Sequence, residues 1–354
     1  MRFCLALLLT ASLPLPCLAG SYFIRSFELG GPYFHAGSLA VEAYPHWRMV
    51  PMGPVPTVLG ALKYGTRTGG VFAPALKIVA IVSQDAPAYG LMIAKTAYDE
   101  IAADPAGRLP GQKLMLTRYP IPPMESSTLS KQSSTAQMYA ERCLHAWNLS
   151  LDQVKVINGE QEEIRNAVAD RKVDIGFVWS PFTYLTQTDQ AKAKILACQD
   201  MTAFEMPYFV AVRADLLTEP DPVRAVANRK RIADYVARML GAWASASNKP
   251  AEAAKRLVKT YAEDNIKVTE PEAQAELAAR RPPDLEGQQT AFRVPAGGGA
   301  APVAATLEGI MDFMVHTGTL AAADRPAAAD LIDASILEMI AREPALTAIA
   351  KGTP

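Results

Sequence analysis

Short apolar runs alternate with amphipathic stretches along most of this 354-residue chain. Leu76-Lys77-Ile78-Val79-Ala80-Ile81-Val82 and Ile175-Gly176-Phe177-Val178-Trp179 are nearly continuous, the pattern of strands buried on both faces. Between them, Ala136, Tyr139, Ala140, Cys143, Ala146 and Trp147 recur at three- and four-residue spacing, the stripe of a helix over 135–147. Alternating strand and helix signals point to an α/β fold with largely parallel sheets, because a parallel neighbour is reached only through a long crossover.

Further strands are expected at Ser21–Phe27, Trp47–Val50, Tyr89–Ala94, Lys113–Thr117, Val154–Ile157, Lys194–Ala197 and Pro207–Val212. Helices are expected up to Tyr44, over Thr57–Tyr64 and over Gln161–Arg171. Beyond 212 the character becomes helical. Ile232, Tyr235, Val236, Met239, Leu240 and Trp243 form one stripe within Arg229–Trp243, and Ala251–Tyr261, Ala305–Val315 and Ala328–Arg342 read alike. Arg281-Pro282-Pro283 and Pro295–Ala300 read as flexible connections.

The Pro- and Gly-rich stretch 105–112 marks a boundary after which the pattern restarts. The expected organisation is a second lobe, 106–204, inserted into a first lobe made of 20–105 and 205–354. Two crossings, near Ser83–Lys95 and near Asp200–Val212, would join them as a hinge. A cleft between lobes, at strand carboxyl ends, is where a small ligand is expected.

The first nineteen residues have the layout of a secretory leader: Arg2, the apolar Leu5–Leu9, then Pro14, Pro16 and the small-residue stretch Cys17-Leu18-Ala19. The run is far short of a membrane span, and Pro16 fits poorly before a lipid-bearing Cys17. Cleavage after Ala19 and a soluble, periplasmic chain are expected. The net charge of −1 supplies no basic field for nucleic acid and no polybasic anchor. Cys143 and Cys198 remain after the leader; they either pair as one disulfide or stay buried thiols. With His35, His46, His145 and His316 they match no metal spacing, so no metal is expected. Glu160, Glu162 and Glu163 suit the first turn of a helix better than acid–base chemistry. No nucleophile-elbow, phosphate-loop or dinucleotide pattern occurs, and neither enzyme activity nor a cofactor is expected.

Ser133-Ser134-Thr135 opens the helix expected at 135–147, where unpaired N–H groups and the helix dipole favour an anion; simple capping by Ser134 explains the same residues. Gly31 and Tyr33, after the first strand, would offer a backbone donor and an aromatic wall, or merely a turn. Ser83 and Gln84 close the buried strand at the first crossing. Trp179 and Ser180 end another strand, where the indole serves equally as core or as cleft wall.

The segments Leu151–Ile157, Ala169–Asp174 and Ile175–Phe182, with Trp179-Ser180-Pro181-Phe182, resemble the second lobe of nitrate/sulfonate/taurine-type periplasmic binding proteins. Pro207–Leu216 and the tail around Lys249–Ala254 are similar too. The likeness is fair over 113–260, weak over 21–105 and faint beyond 270. It implies a type 2 periplasmic-binding-protein-like fold, an anionic or zwitterionic solute held at Ser133–Thr135, hinge closure, and a monomer that docks on an ABC transporter's membrane permease. Where the family usually has an acidic residue between Trp and Pro, this chain has Ser180; 122–134 reads as an insertion, and 281–303 has no counterpart. A periplasmic sensor or accessory subunit, or a cofactor-precursor enzyme on the same fold, are the alternatives.

Overall fold

The computed structural model describes residues 50–52, 54–63, 65–68, 71–84, 89–117, 134–180, 182–183, 192–198, 207–263 and 267–352. In chain order these form β1 (Val50–Met52), α1 (Pro54–Lys63), β2 (Thr66–Thr68), β3 (Val71–Ala73), β4 (Leu76–Gln84), β5 (Tyr89–Ala94), α2 (Lys95–Ala103), β6 (Lys113–Leu116), α3 (Thr135–His145), β7 (Lys155–Asn158), α4 (Gln161–Ala169), β8 (Ile175–Trp179), β9 (Ala193–Leu196) and β10 (Pro207–Arg213). The helical remainder is α5 (Pro222–Asn248), α6 (Pro250–Glu263), α7 (Glu270–Ala279), α8 (Leu285–Phe292), α9 (Pro302–His316), α10 (Ser335–Arg342) and α11 (Pro344–Ala350).

Two sheets carry the architecture. One has the order β1-β10-β4, and the other β7-β6-β8-β5-β9. In the five-stranded sheet β6 runs parallel to β7 and β8, connected through α3 and α4 as alternation requires. β5 lies between β8 and β9 and is antiparallel to both. All six of its residues are buried, because a strand flanked on both sides and covered on both faces exposes nothing. In the other sheet β10 runs against both β1 and β4. The sheets are therefore less parallel than alternation alone implies. The reason is topological: β5 and β10 are the strands that follow the two crossings, and each enters its sheet against its neighbours.

The helical tail covers the outer edge of β4. The fully buried Gln288 of α8 accepts from the Ile81 amide at 2.9 Å and donates to the Ile81 carbonyl at 2.6 Å, so its side-chain amide stands in for a neighbouring strand. Further along, Asp333 donates its amide to the Ile78 carbonyl at 2.9 Å. That second contact interrupts the helix expected over Ala328–Arg342, leaving a short 3-10 turn at Ala328–Leu331 ahead of α10. Between the connections expected at Arg281–Pro283 and Pro295–Ala300, both free of helix, lies α8, capped by Asp284. α5 begins seven residues before the start expected at Arg229, since Asp221 caps it and Pro222 occupies its first position. The β2–β3 hairpin, spaced by Gly69-Gly70, was not foreseen.

Cys143 and Cys198 form a disulfide with 5.1 Å between Cα atoms, which decides between the two readings of these residues. It ties α3 to the chain leaving β9. The strand expected at Ser21–Phe27, the helix expected up to Tyr44, all but Val50 of the strand expected at Trp47–Val50, and 122–133 of the insertion lie outside the described residues.

Candidate functional site

The carboxyl ends of the parallel strands β6 and β8 meet the starts of α3 and α4. Ser134 is extended at the α3 cap; its hydroxyl accepts from the Gln137 amide at 3.0 Å and donates to the Thr117 carbonyl at 2.9 Å. No acidic residue lies in the first turn of α3. α4 differs: Glu160 and Glu163 close its start in a reciprocal capping arrangement. The positive end of α4 is thus already met by carboxylates, whereas that of α3 is met by hydroxyls, so of the two only α3 is electrostatically suited to an incoming anion.

Gln161, buried at the first position of α4, locks this edge together. Its amide nitrogen donates to the Thr117 hydroxyl at 3.0 Å and the Phe177 carbonyl at 3.3 Å, while its oxygen accepts from the Trp179 amide at 3.0 Å. Ser134, Thr117, Gln161 and Trp179 are therefore joined by consecutive hydrogen bonds across β6 and β8.

An aromatic cluster stands beside that edge. The Tyr89 and Tyr139 rings stack with centroids 4.3 Å apart and planes 9° from parallel. Phe177 and Trp179 lie at 6.0 and 6.3 Å from Tyr89. The hydroxyls of Tyr89 and Tyr208 are 2.7 Å apart. Tyr89 begins the strand after the first crossing and Tyr208 is the second residue of the strand after the other, so this hydrogen bond couples the two connections between the sheets.

A buried charged group completes the seam. The Arg280 carbonyl accepts from the Gln84 amide at 3.1 Å, placing the end of α7 beside the first crossing. One turn earlier, Glu276 accepts from the Arg280 guanidinium at 2.8 Å and from the Tyr261 hydroxyl at 2.8 Å. Both charged side chains are buried. Burial raises the Glu276 carboxyl above its ordinary range, opposed by Arg280 and by the Ser180 and Tyr261 hydroxyls. Ser180 thus comes from the five-stranded sheet to face a carboxylate from the helical tail. The carboxylate missing between Trp179 and Pro181 has a counterpart after all, supplied by a different element.

Three side-chain oxygens of the described residues here are sealed from solvent without a hydrogen-bond partner: Gln84 Oε1, Thr135 Oγ1 and Gln137 Oε1. Buried polar atoms are ordinarily paired, and orphans call for an explanation such as a bound group. Of the residues picked from sequence, Ser134 is joined to Trp179 by the hydrogen-bond chain through Thr117 and Gln161, with Thr135 and Ser180 next to them in sequence. Gln84 and Ser180 both adjoin the end of α7, and Ser83, fully buried, pairs in register with Tyr208. Gly31, Tyr33 and Ser133 lie outside the described residues. Sequence reading missed Gln161, Tyr89, Tyr139, Tyr208, Glu276 and Arg280. The i,i+4 spacing of Glu276 and Arg280 was visible, but such pairs usually stand on solvated helix faces.

No protein-family model matches the sequence, and no curated protein matches it. Solved structures do. The periplasmic aliphatic sulphonate-binding protein SsuA of Escherichia coli is similar with a TM-score of 0.53 at 16% identity, over 81% of this chain and 79% of that one. The alkanesulfonate-binding protein SsuA of Xanthomonas axonopodis pv. citri, bound to MOPS, gives 0.54 at 13% identity, over 86% and 85%. The periplasmic nitrate-binding protein NrtA of Synechocystis gives 0.54 at 14% identity, over 92% and 81%. This chain has their fold: a two-lobed, type 2 periplasmic-binding-protein-like α/β architecture with one lobe inserted in the other and a helical C-terminal part.

Proposed function

We propose that this protein is the solute-binding component of an ABC importer, capturing a small anionic or zwitterionic solute of the nitrate, sulfonate or taurine class by closing two lobes over it. The lobes would be 20–105 with 205–354, and 106–204. The observation that carries the reading is the set of three orphaned, solvent-sealed oxygens at Gln84, Thr135 and Gln137. They come from the first crossing and the start of α3, which is where an occupant between lobes would find partners. Ser133, Ser134 and Thr135, with the α3 terminus, would hold the anionic group; Trp179 and Ser180 would wall the far side, and Gly31, Tyr33, Ser83 and Gln84 would face it from the first lobe. Nothing in this scheme makes or breaks a covalent bond, and the site needs no cofactor.

The Cys143–Cys198 disulfide supports export, since such bonds persist in oxidising compartments. Residues 1–19 supply the leader for a periplasmic destination. There a monomer carrying its solute would dock on a membrane permease. The names of the similar structures, sulfonate- and nitrate-binding, support the ligand class.

Thermal shift on the purified protein with nitrate, alkanesulfonates, taurine-like amines and aromatic acids tests the reading. A true ligand at a hundredfold excess over its Kd stabilises by about 2.7 kcal/mol. Thr135→Val and Ser180→Ala should each abolish most of that shift while leaving the unliganded protein folded, and Ser180→Asp should weaken an anion further. A screen in which no anion or zwitterion stabilises the protein, or one that uncovers turnover of a hit, would sink the proposal.

A further inference from the structure

Gln137 carries a polar atom that an anion cannot use. The residue stands in the first turn of α3 and is 7% exposed. Its Nε2 donates to the Glu141 carboxylate at 3.0 Å, which fixes the orientation of the amide. Its Oε1, the other end of the same amide, is sealed from solvent without a hydrogen-bond partner among the described residues. An amide oxygen only accepts. Nitrate, which has no hydrogen to give, would leave it as it is.

Gln84 Oε1 makes the same demand from the first crossing. One run of contacts links the two glutamines. Gln84 pairs in register with Pro207, and the next residue, Tyr208, has its hydroxyl 2.7 Å from that of Tyr89. The Tyr89 ring stacks at 4.3 Å on Tyr139, two residues beyond Gln137. Thr135 differs, because a hydroxyl both donates and accepts and so can serve an anionic end. The orphaned atoms divide into one that suits an anion and two that call for donors.

We infer that Gln137 Oε1, with Gln84 Oε1, forms an acceptor subsite that selects a solute bearing an ammonium group as well as its anionic one, a zwitterion over a bare anion. The inference rests on the solute-binding reading proposed above. The bond from Nε2 to a carboxylate polarises the Gln137 amide and makes its oxygen a stronger acceptor. A charged donor gains most from that oxygen, since charge-assisted hydrogen bonds are roughly twice as strong as neutral ones. An ammonium also brings several N–H donors where a hydroxyl brings a single one. A solute with no donor would leave both oxygens buried and unpaired, which is how a polar site rejects an analogue.

Calorimetric titration of the full chain with probes that share one anion tests this. Ethanesulfonate carries no donor, 2-hydroxyethanesulfonate a hydroxyl and 2-aminoethanesulfonate an ammonium. Propanoate and 3-aminopropanoate repeat the comparison on a carboxylate, and nitrate serves as the bare anion. In at least one series the amino member should bind at least about tenfold tighter than its plain partner, with the hydroxyl member between. Gln137→Met keeps the length of the side chain and removes the oxygen, and should bring that ratio to within about threefold. Gln84→Met, on a different element, should narrow the ratio as well and carries the test if Gln137→Met does not fold. Plain and amino members binding alike, or nitrate binding tightest, would overturn the inference and leave solute capture standing. A ratio unchanged in both variants would place the preference elsewhere and overturn it too. If no probe binds, the solute class proposed above fails, and this inference fails with it.

Discussion

A single buried amide holds the candidate site in register. Gln161 meets Thr117, Phe177 and Trp179 from one side chain, so the positions of the α3 cap and of the β8 end depend on it together. Gln161→Leu would fill the space but leave the Trp179 amide and the Thr117 hydroxyl without this partner. Leaving a buried polar group unsatisfied costs about 1–3 kcal/mol, so a loss of at least about 2 kcal/mol is expected in urea unfolding. A variant as stable as the wild type would show that water or a neighbour replaces the amide. In sequence, Gln161 is one polar residue at a helix start, and nothing local distinguishes it from a solvated one. Ser134 was legible because capping is a local event, decided within three residues.

Among the elements, α3 is the one whose placement matters most, and it is fixed at both ends. Ser134 fastens its start to β6, and the Cys143–Cys198 bond fastens its last turn to the exit of β9. A cross-link between residues 55 apart restricts the unfolded chain by about 4 kcal/mol on the chain-entropy account. Cys143→Ser/Cys198→Ser should lose stability of that order in denaturant unfolding. The wild type under strong reductant should fall to the same midpoint. If reductant leaves the wild type unchanged while the variant is destabilised, the bond is simply shielded, as its burial allows. If both are as stable as the oxidised wild type, the cross-link contributes nothing. β4 teaches a related lesson. Its apolar run reads as a buried strand, but what covers its edge is Gln288, 207 residues away.

At the scale of the molecule, the Glu276–Arg280 pair lies where the helical tail meets the five-stranded sheet and the first crossing. Because burial raises the Glu276 pKa, the folded protein takes up that proton at a higher pH than the unfolded chain does. The sign follows: this group adds stability below the ordinary carboxylate value, and the addition is lost as pH rises through the raised folded value. The stability of the wild type relative to Glu276→Gln should therefore improve as pH falls from about 7 to about 4, read by denaturation at each pH. A flat or opposite trend would refute the assignment.

Local pattern alone determined the α/β class, the near-complete set of strands from 76 to 212, the inserted order of the two lobes' elements and the cap on α3. Each of these follows from periodicity or from contacts between residues a few positions apart, which a one-dimensional reading can see. Strand direction was beyond it, since β5 and β10 look like any other apolar run until their crossings turn them against their neighbours. The disulfide, the Gln161 chain, the tyrosine pair and the carboxylate facing Ser180 were equally hidden. All of them join residues distant in sequence, and only packing of the whole chain brings such groups within a hydrogen bond's reach.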